Sequence, residues 1–582
     1  MRKTSWFASL AIVLSVAVFP AAAQDFGPSL APADTSFVLI SHGMSRAKAA
    51  FPKNPMVVAW SSPESAAFMR QFMSYAARHL NLTVQGKAAQ LSPAQLDMLA
   101  SVIDSPVMLG HAGTVDVSKL GQPGGSSAGD SKDSGAFFFV LDVSAFSTQF
   151  DQLWNLLEAD MPANVSRSKS DMSGVSVEKL VGPDKTSFAA RAGSYFVWSD
   201  GRKVMEDLVS RLKSNIATPT TFGQSPTFSR CLGKPEPGTL SEFYLQIPDL
   251  TKLSLPAMNG FNGNAALAPL HLGALHALCG SFTLDEQGQH SRGLLMGDAS
   301  AGGFFDINGP NRAHFDTLAM VPPSASMYSV ASFDMQAIYK LIRAAMVAGL
   351  PQEQASGISM AEAMAGAQIG MQPADLLALF AGELATVQSP AKPAPSTVFI
   401  FSISNTVKLQ AVIQKVGTGV VTEDSHDGPL TVMKMGNASA PAAASDQSPS
   451  MYFCITPHFL VVSTDKKALL ESAHLDSAGS VPAASALMLN NPEIRAILAN
   501  LPNQLSGLSI TDNSQGQFGA AVSAIVDQVM KDPNSKTSQE DMQFFEAFRQ
   551  FLTSDSFQKA SSKTVNAWWK DADGIHYEGV SR

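Results

Sequence analysis

Charge is scarce in this 582-residue chain. Charged residues make up 15% of it, well under the usual quarter. No Lys/Arg-rich run occurs, so nucleic acid is not an expected partner. Cysteine is scarcer still. Cys231, Cys279 and Cys454 are the only three, too few and too scattered for a disulfide framework. Cys231 and Cys279 lie in the same half and could pair in an oxidising compartment; the preferred reading is three small buried hydrophobes. After the first 23 residues there is no run of 18 uncharged apolar residues, which excludes a later membrane-crossing helix. The 11 histidines are dispersed, so neither a metal nor any other cofactor is expected.

What is present begins at the N-terminus. Arg2 and Lys3 precede an apolar run from Trp6 to Val18, Pro20 breaks it, and Ala21-Ala22-Ala23 offers a small-x-small cleavage pattern. At about 13 residues the run is shorter than the roughly 20 needed to span a bilayer. The expectation is a signal peptide over 1–23, cleaved between Ala23 and Gln24, and a chain exported to the periplasm or beyond the cell. Hydrophobic residues at 45% provide ample core.

The rest of the chain reads as two copies. "PADTSFVLISHGM" (32–44) faces "PSASMYSVASFDM" (323–335), "FVLDVS" (139–144) faces "FIFSIS" (399–404), and "VSVEKL" (175–180) faces "LTVMKM" (430–435). "YFVWSDGRKVMEDL" (195–208) faces "FLVVSTDKKALLES" (459–472), and "SPTFSRCL" (225–232) faces "NPEIRAIL" (491–498). Both copies close on Asp-x-x-Gly-x-His-x-x-Gly: Asp285, Gly288, His290 and Gly293, then Asp571, Gly574, His576 and Gly579. Six matches in one order predict a tandem duplication, with repeat one over 24–305, a connecting segment over 306–320 and repeat two over 321–582. The Gly/Pro/Ser-rich stretches 121–135, 389–396 and 436–450 read as surface connections.

Short strands, many adjacent in sequence, alternate with amphipathic helix patterns and hairpin turns. The predicted class is α+β: each repeat a largely antiparallel sheet with helices packed on one face. "DMQFFEAFRQFL" (541–552) predicts an amphipathic helix packed on a sheet through Met542, Phe545, Phe548 and Phe551. The nonapeptides predict hairpins, with Gly288 and Gly574 at positive φ.

"LAPADTSFVLI" (30–40), directly after the signal peptide, and the later "SPTFSRCL" and "NPEIRAIL" helices resemble an uncharacterised family of exported bacterial proteins, the DUF3352-like domains of unknown function. The resemblance covers most of the mature chain. It departs in repeat two, where "PPSASMY" replaces the Asp-Thr start. It implies location and fold, and supplies no catalytic residue.

Several strings imitate active sites. "GSSAG" (125–129) fits the nucleophile elbow but lies in a Gly/Ser loop without the flanking strand and helix. "SRAK" (45–48) fits Ser-x-x-Lys, yet its companion motifs are missing and Ser45 reads as a helix cap. His271 and His276 are spaced so that they do not share a helix face. No catalytic, cofactor or metal-binding residue is therefore assigned. The expected function is non-catalytic: a binding or structural module with an unknown protein or envelope partner. The alternative is a carrier or sensor of an apolar small molecule held in a cleft between the repeats, and a hydrolase ranks third.

Overall fold

The computed structural model describes residues 26–79, 104–114, 135–159, 165–183, 185–214, 222–232, 238–252, 260–307, 313–389, 396–417, 421–435, 451–477, 492–502, 504–513, 539–560 and 563–582, with a few short pieces between. The leader, the Ala23–Gln24 junction, "GSSAG" and most of the three Gly/Pro/Ser-rich stretches lie outside the described residues.

Twenty strands form one antiparallel sheet. The first ten are β1 (Thr35–Ser41), β2 (Val107–Ala112), β3 (Ala136–Asp142), β4 (Ser166–Met172), β5 (Val175–Val181), β6 (Thr186–Ala192), β7 (Tyr195–Ser199), β8 (Thr239–Gln246), β9 (Leu275–Leu284) and β10 (Gln289–Gly297). The second ten are β11 (Met327–Asp334), β12 (Ala381–Ser389), β13 (Ser396–Ser402), β14 (Val421–Asp427), β15 (Leu430–Met435), β16 (Met451–Ile455), β17 (Phe459–Ser463), β18 (Gly507–Asp512), β19 (Lys563–Asp571) and β20 (Gly574–Ser581).

From edge to centre the first half runs β4-β5-β6-β7-β3-β2-β1-β8-β9-β10. The second runs β14-β15-β16-β17-β13-β12-β11-β18-β19-β20, the same order. β10 and β20 pair with each other and join the halves. Register agrees as well: Phe139 pairs with Trp198 as Phe399 pairs with Val462.

Helices cover both faces, not the single face expected. Successive strand residues point to opposite sides. In β3, Phe138 and Val140 enter one core, with Met205 and Leu208 of α5 (Arg202–Ser214) and Phe228 of α6 (Pro226–Leu232). Phe139 and Leu141 enter another, beneath α3 (Pro63–His79) and α4 (Ser147–Ala159). Preceding these are α1 (Met44–Ala50) and α2 (Pro55–Trp60). The unbroken apolar run "AFFFVLD" is the sequence of a strand buried on two sides.

The second half repeats the layering. Val398 and Ile400 pack with α12 (Lys466–Ser477) and α13 (Pro492–Leu498), while Phe401 meets α10 (Pro373–Ala378) and α11 (Thr406–Val416) on the reverse.

The halves also exchange helices. α14 (Gln539–Thr553) and α15 (Asp555–Ala560), between β18 and β19, pack on α3 and α2 of the first half. In return α7 (Gly263–Leu267), between β8 and β9, packs on α8 (Met335–Gly349) of the second, which α9 (Gln352–Ile369) follows. The α14 face is aromatic: Phe551 stacks on Phe68 at 5.3 Å and Phe544 on Tyr75 at 4.5 Å. The amphipathic helix expected over 541–552 thus packs on a helix of the other half rather than on a sheet.

Candidate functional site

The two nonapeptides form the hairpins β9–β10 and β19–β20, side by side at the centre of the sheet. Asp285 Oδ1 accepts hydrogen bonds from the amides of Gln287 (2.7 Å) and Gly288 (2.8 Å), and Asp571 Oδ1 accepts from Asp573 (2.8 Å). The other carboxylate oxygen faces the histidine of the same motif, 2.8 Å from His290 Nε2 and 2.9 Å from His576 Nε2. Burial raises the Asp285 pKa, but the two turn amides and the His290 ring together hold it below the usual carboxylate value.

Both turns place two residues between the Asp and the Gly: the Asp285 amide donates to the Gly288 carbonyl (3.1 Å), and Asp571 pairs with Gly574. Of the two glycines expected at positive φ, Gly574 has it (140°) and Gly288 does not. Both share a different need. A Cβ at Gly288 would lie 2.0 Å from the Ser581 carbonyl oxygen, and one at Gly574 2.1 Å from that of Leu295. Each glycine admits the backbone of the opposite half. Gly579 is crowded by Ser291 Oγ (2.5 Å), while a Cβ at Gly293 would find its nearest neighbour at 3.6 Å.

The histidines do not converge. His290 stands opposite Val580 and His576 opposite Leu294, four residues apart along the strands and so separated by about 13 Å. Among the described residues no group of three or more His, Cys, Asp or Glu could hold a metal. The motif is a joint: Arg230 forms an ion pair across it with Asp573, and Lys570 Nζ donates to the Phe305 carbonyl (2.9 Å).

Other chemistry-bearing residues resolve into structure. Cys231 on α6 and Cys279 on β9 are disulfide-bonded, Cα to Cα 5.9 Å, which corrects the expectation of three free thiols. Their counterparts in the second half, Ile497 and Val565, are both buried in one core. Cys454 is buried, and loss of hydration pushes its thiol up to about 12. The α1 N-cap is Gly43 (φ 94°) without a side-chain cap, so Ser45 does not cap it; Lys48 pairs with Asp104 at 3.0 Å. His271 lies in a left-handed turn and His276 on β9, not on a common helix. Buried His42 and Glu242 clasp β1 to β8 at 2.8 Å.

One Ser–His contact escaped the sequence reading. Ser36 Oγ lies 2.8 Å from His111 Nδ1 at a bulge in β1. Burial lowers the His111 pKa and the nearby Asp34 charge opposes that shift. The same hydroxyl donates to the His111 carbonyl (3.2 Å) and Ser36 is 3% exposed. The ring and the carbonyl of His111 together hold buried Ser36 at the bulge, a clasp between β1 and β2.

The reverse face of the second half carries an apolar cleft of about 840 Å³. It lies between β13, β16 and β17 and helices α10 and α11, with Met335 and Ile369 from α8 and α9 at one side. Glu383 is its only charged lining residue, and Gly382 and Gly417 add backbone alone. The Glu383 carboxylate is spent elsewhere: one oxygen accepts from the Phe315 amide, the other from Thr317 N (3.0 Å) and Oγ1 (2.9 Å). It thereby fastens the segment Asp316–Met320, whose Leu318 and Met320 join the second core, to β12. Phe399, Val416, Met435 and Met451 line the cleft and remain 41–52% exposed, which marks its open side.

Overlaying the registers compares the two reverse faces. In the first half Phe196 and Trp198 of β7 lie on the reverse face, with Phe196 5.0 Å from Phe150 and 4.8 Å from Trp154 of α4. The corresponding β17 residues are Leu460 and Val462, both of which line the cleft. On the same face Phe453 stands where the first half has Ala189, and Phe401 where it has Leu141, so the two halves carry different apolar sets on one strand order and side-chain size alone does not make the space.

Comparison of the chain with models of known families, with curated proteins and with solved structures finds no match in any of the three.

Proposed function

We propose that this chain is a tandem duplicate, exported and non-catalytic, that binds an apolar small molecule in the cleft of its C-terminal half. The observation that carries the reading is the apolar cleft itself, with its open side and its lack of a free polar group among the described lining residues. One strand order supports both reverse faces; Phe196 and Trp198 join a core cluster on the first, while Leu460, Val462, Phe401 and Phe453 line about 840 Å³ on the second. That volume falls within the range of about 300–1,000 Å³ typical of small-molecule sites. The cleft belongs to one repeat, whereas the sequence pointed to the space between repeats. Each methylene buried there contributes about 0.8 kcal/mol before ordering costs.

Binding rather than catalysis is supported by the lining, where the single ionisable group already has both oxygens engaged. Export is supported by the leader and by the Cys231–Cys279 disulfide, a bond that persists in oxidising compartments. Among the described residues no helix is long and apolar enough to cross a membrane. Native mass spectrometry of the purified protein tests the reading. A co-purified small mass, absent from a Val462→Trp variant, is expected; identical apo masses for both, with no uptake of added apolar probe, would remove it.

A second reading, a protein- or envelope-interaction module, draws on the α8–α9 hairpin. Ile342 with Met346, and Met360 with Met364, stand one helical turn apart and are 45–67% exposed. Crosslinking in the native envelope should then capture a partner through α8 and α9.

A further inference from the structure

Resting on the cleft reading, we propose that the ligand is uncharged, a neutral alkyl, isoprenoid or ring compound, and that the site discriminates against carboxylate and phosphate amphiphiles of equal chain length. Three observations carry this. First, among the described residues no Lys, Arg or His lines the cleft, so an anionic group drawn inside would lose water and gain no partner there. Second, the only ionisable group in the lining, Glu383, is itself a carboxylate, anchored to Phe315 and Thr317.

Third, the rim opposes an anion. Val421 lines the cleft and pairs with Met435; two residues along β14, Glu423 pairs with Met433 and so shares that face of the strand. Its carboxylate is half exposed and lies 2.6 Å from His426 Nε2. Three cations adjoin lining residues in sequence: Lys408 beside Leu409; Lys415, which reaches toward the Ala367 carbonyl at 3.5 Å; and Lys434, which alternates with Met435 to the other face of its strand. An anionic headgroup left on this face of β14 would meet the Glu423 carboxylate, while a neutral one would meet no such repulsion.

The test is displacement of N-phenyl-1-naphthylamine, a neutral fluorescent probe, from the full chain at pH 8 by dodecanol and by dodecanoate. Dodecanol should displace it at concentrations at least tenfold lower. Because water also retains carboxylates better than alcohols, a second arm uses Glu423→Lys. That variant should improve dodecanoate at least threefold and leave dodecanol unchanged. Equal displacement by the two compounds in the native chain, or a Glu423→Lys variant that leaves the ratio unmoved, would overturn the inference while leaving the cleft a binding site. Failure of the probe itself to bind would remove both.

Discussion

At Gly574 the backbone holds φ near 140° and a Cβ would press on the Leu295 carbonyl, whereas at Gly293, in the matching nonapeptide, a Cβ has room. Gly574→Ala should therefore lower stability by at least about 1–3 kcal/mol, and Gly293→Ala by no more than about 0.5 kcal/mol. Equilibrium urea denaturation of the two variants checks the contrast, and equal losses would contradict it.

Asp285 makes a second residue-scale prediction. Its folded pKa lies below the ordinary value, so the stability it adds is complete above about pH 4 and is lost as pH falls through the folded value. Asp285→Asn should consequently flatten the fall in urea midpoint between about pH 4 and 2; an unchanged slope would show that the carboxylate does not matter. Cys454, with its thiol pushed up to about 12, should not react with a thiol reagent at pH 8 in the native chain. One thiol should appear on unfolding and three after reduction. The nonapeptides were visible in the sequence as repeated turns, and the Asp and Gly types were legible there. That the glycines yield to the opposite half was not, because it depends on which strand lies alongside.

At the scale of elements, the six matched segments of sequence fall on equivalent strands and helices of the two ladders, and the antiparallel α+β class follows from their hairpins. Coverage of both faces was half-legible: "AFFFVLD" announces a strand without a solvent side, yet nothing local states which helices cover it. The cleft was hidden because every exchange on that face, Leu460 for Phe196, Val462 for Trp198, Phe453 for Ala189 and Phe401 for Leu141, puts one apolar residue in place of another and leaves the pattern intact. The disulfide was equally obscure, as Cys231 and Cys279 stand 48 residues apart on a helix and a strand. Since Ile497 and Val565 hold the same junction by packing in the second half, the bond is one of two solutions to a single contact. Replacing both cysteines by serine should cost about 2–4 kcal/mol, read as a lower thermal midpoint, and an unchanged midpoint would contradict the assignment.

The whole molecule is held by three exchanges: β10 with β20, α14 and α15 on α3 and α2, and α7 on α8. Cutting the chain between residues 307 and 313 should therefore not yield two independent domains. Expressed alone, residues 24–305 would expose the β10 edge and the aromatic face of α3 around Phe68 and Phe72, a template for aggregation. Co-expressed halves should co-purify as one particle, and a monodisperse, cooperatively folding N-terminal half would contradict this. Within that frame the second half carries the apolar cleft. The most direct measurement is a fluorescence titration of N-phenyl-1-naphthylamine into the native chain and into Val462→Trp, which restores the first half's residue. The account predicts saturable binding of one probe by the native chain, and binding at least tenfold weaker in the variant at an equal or higher thermal midpoint. Equal binding by both proteins, or none by either, would contradict it.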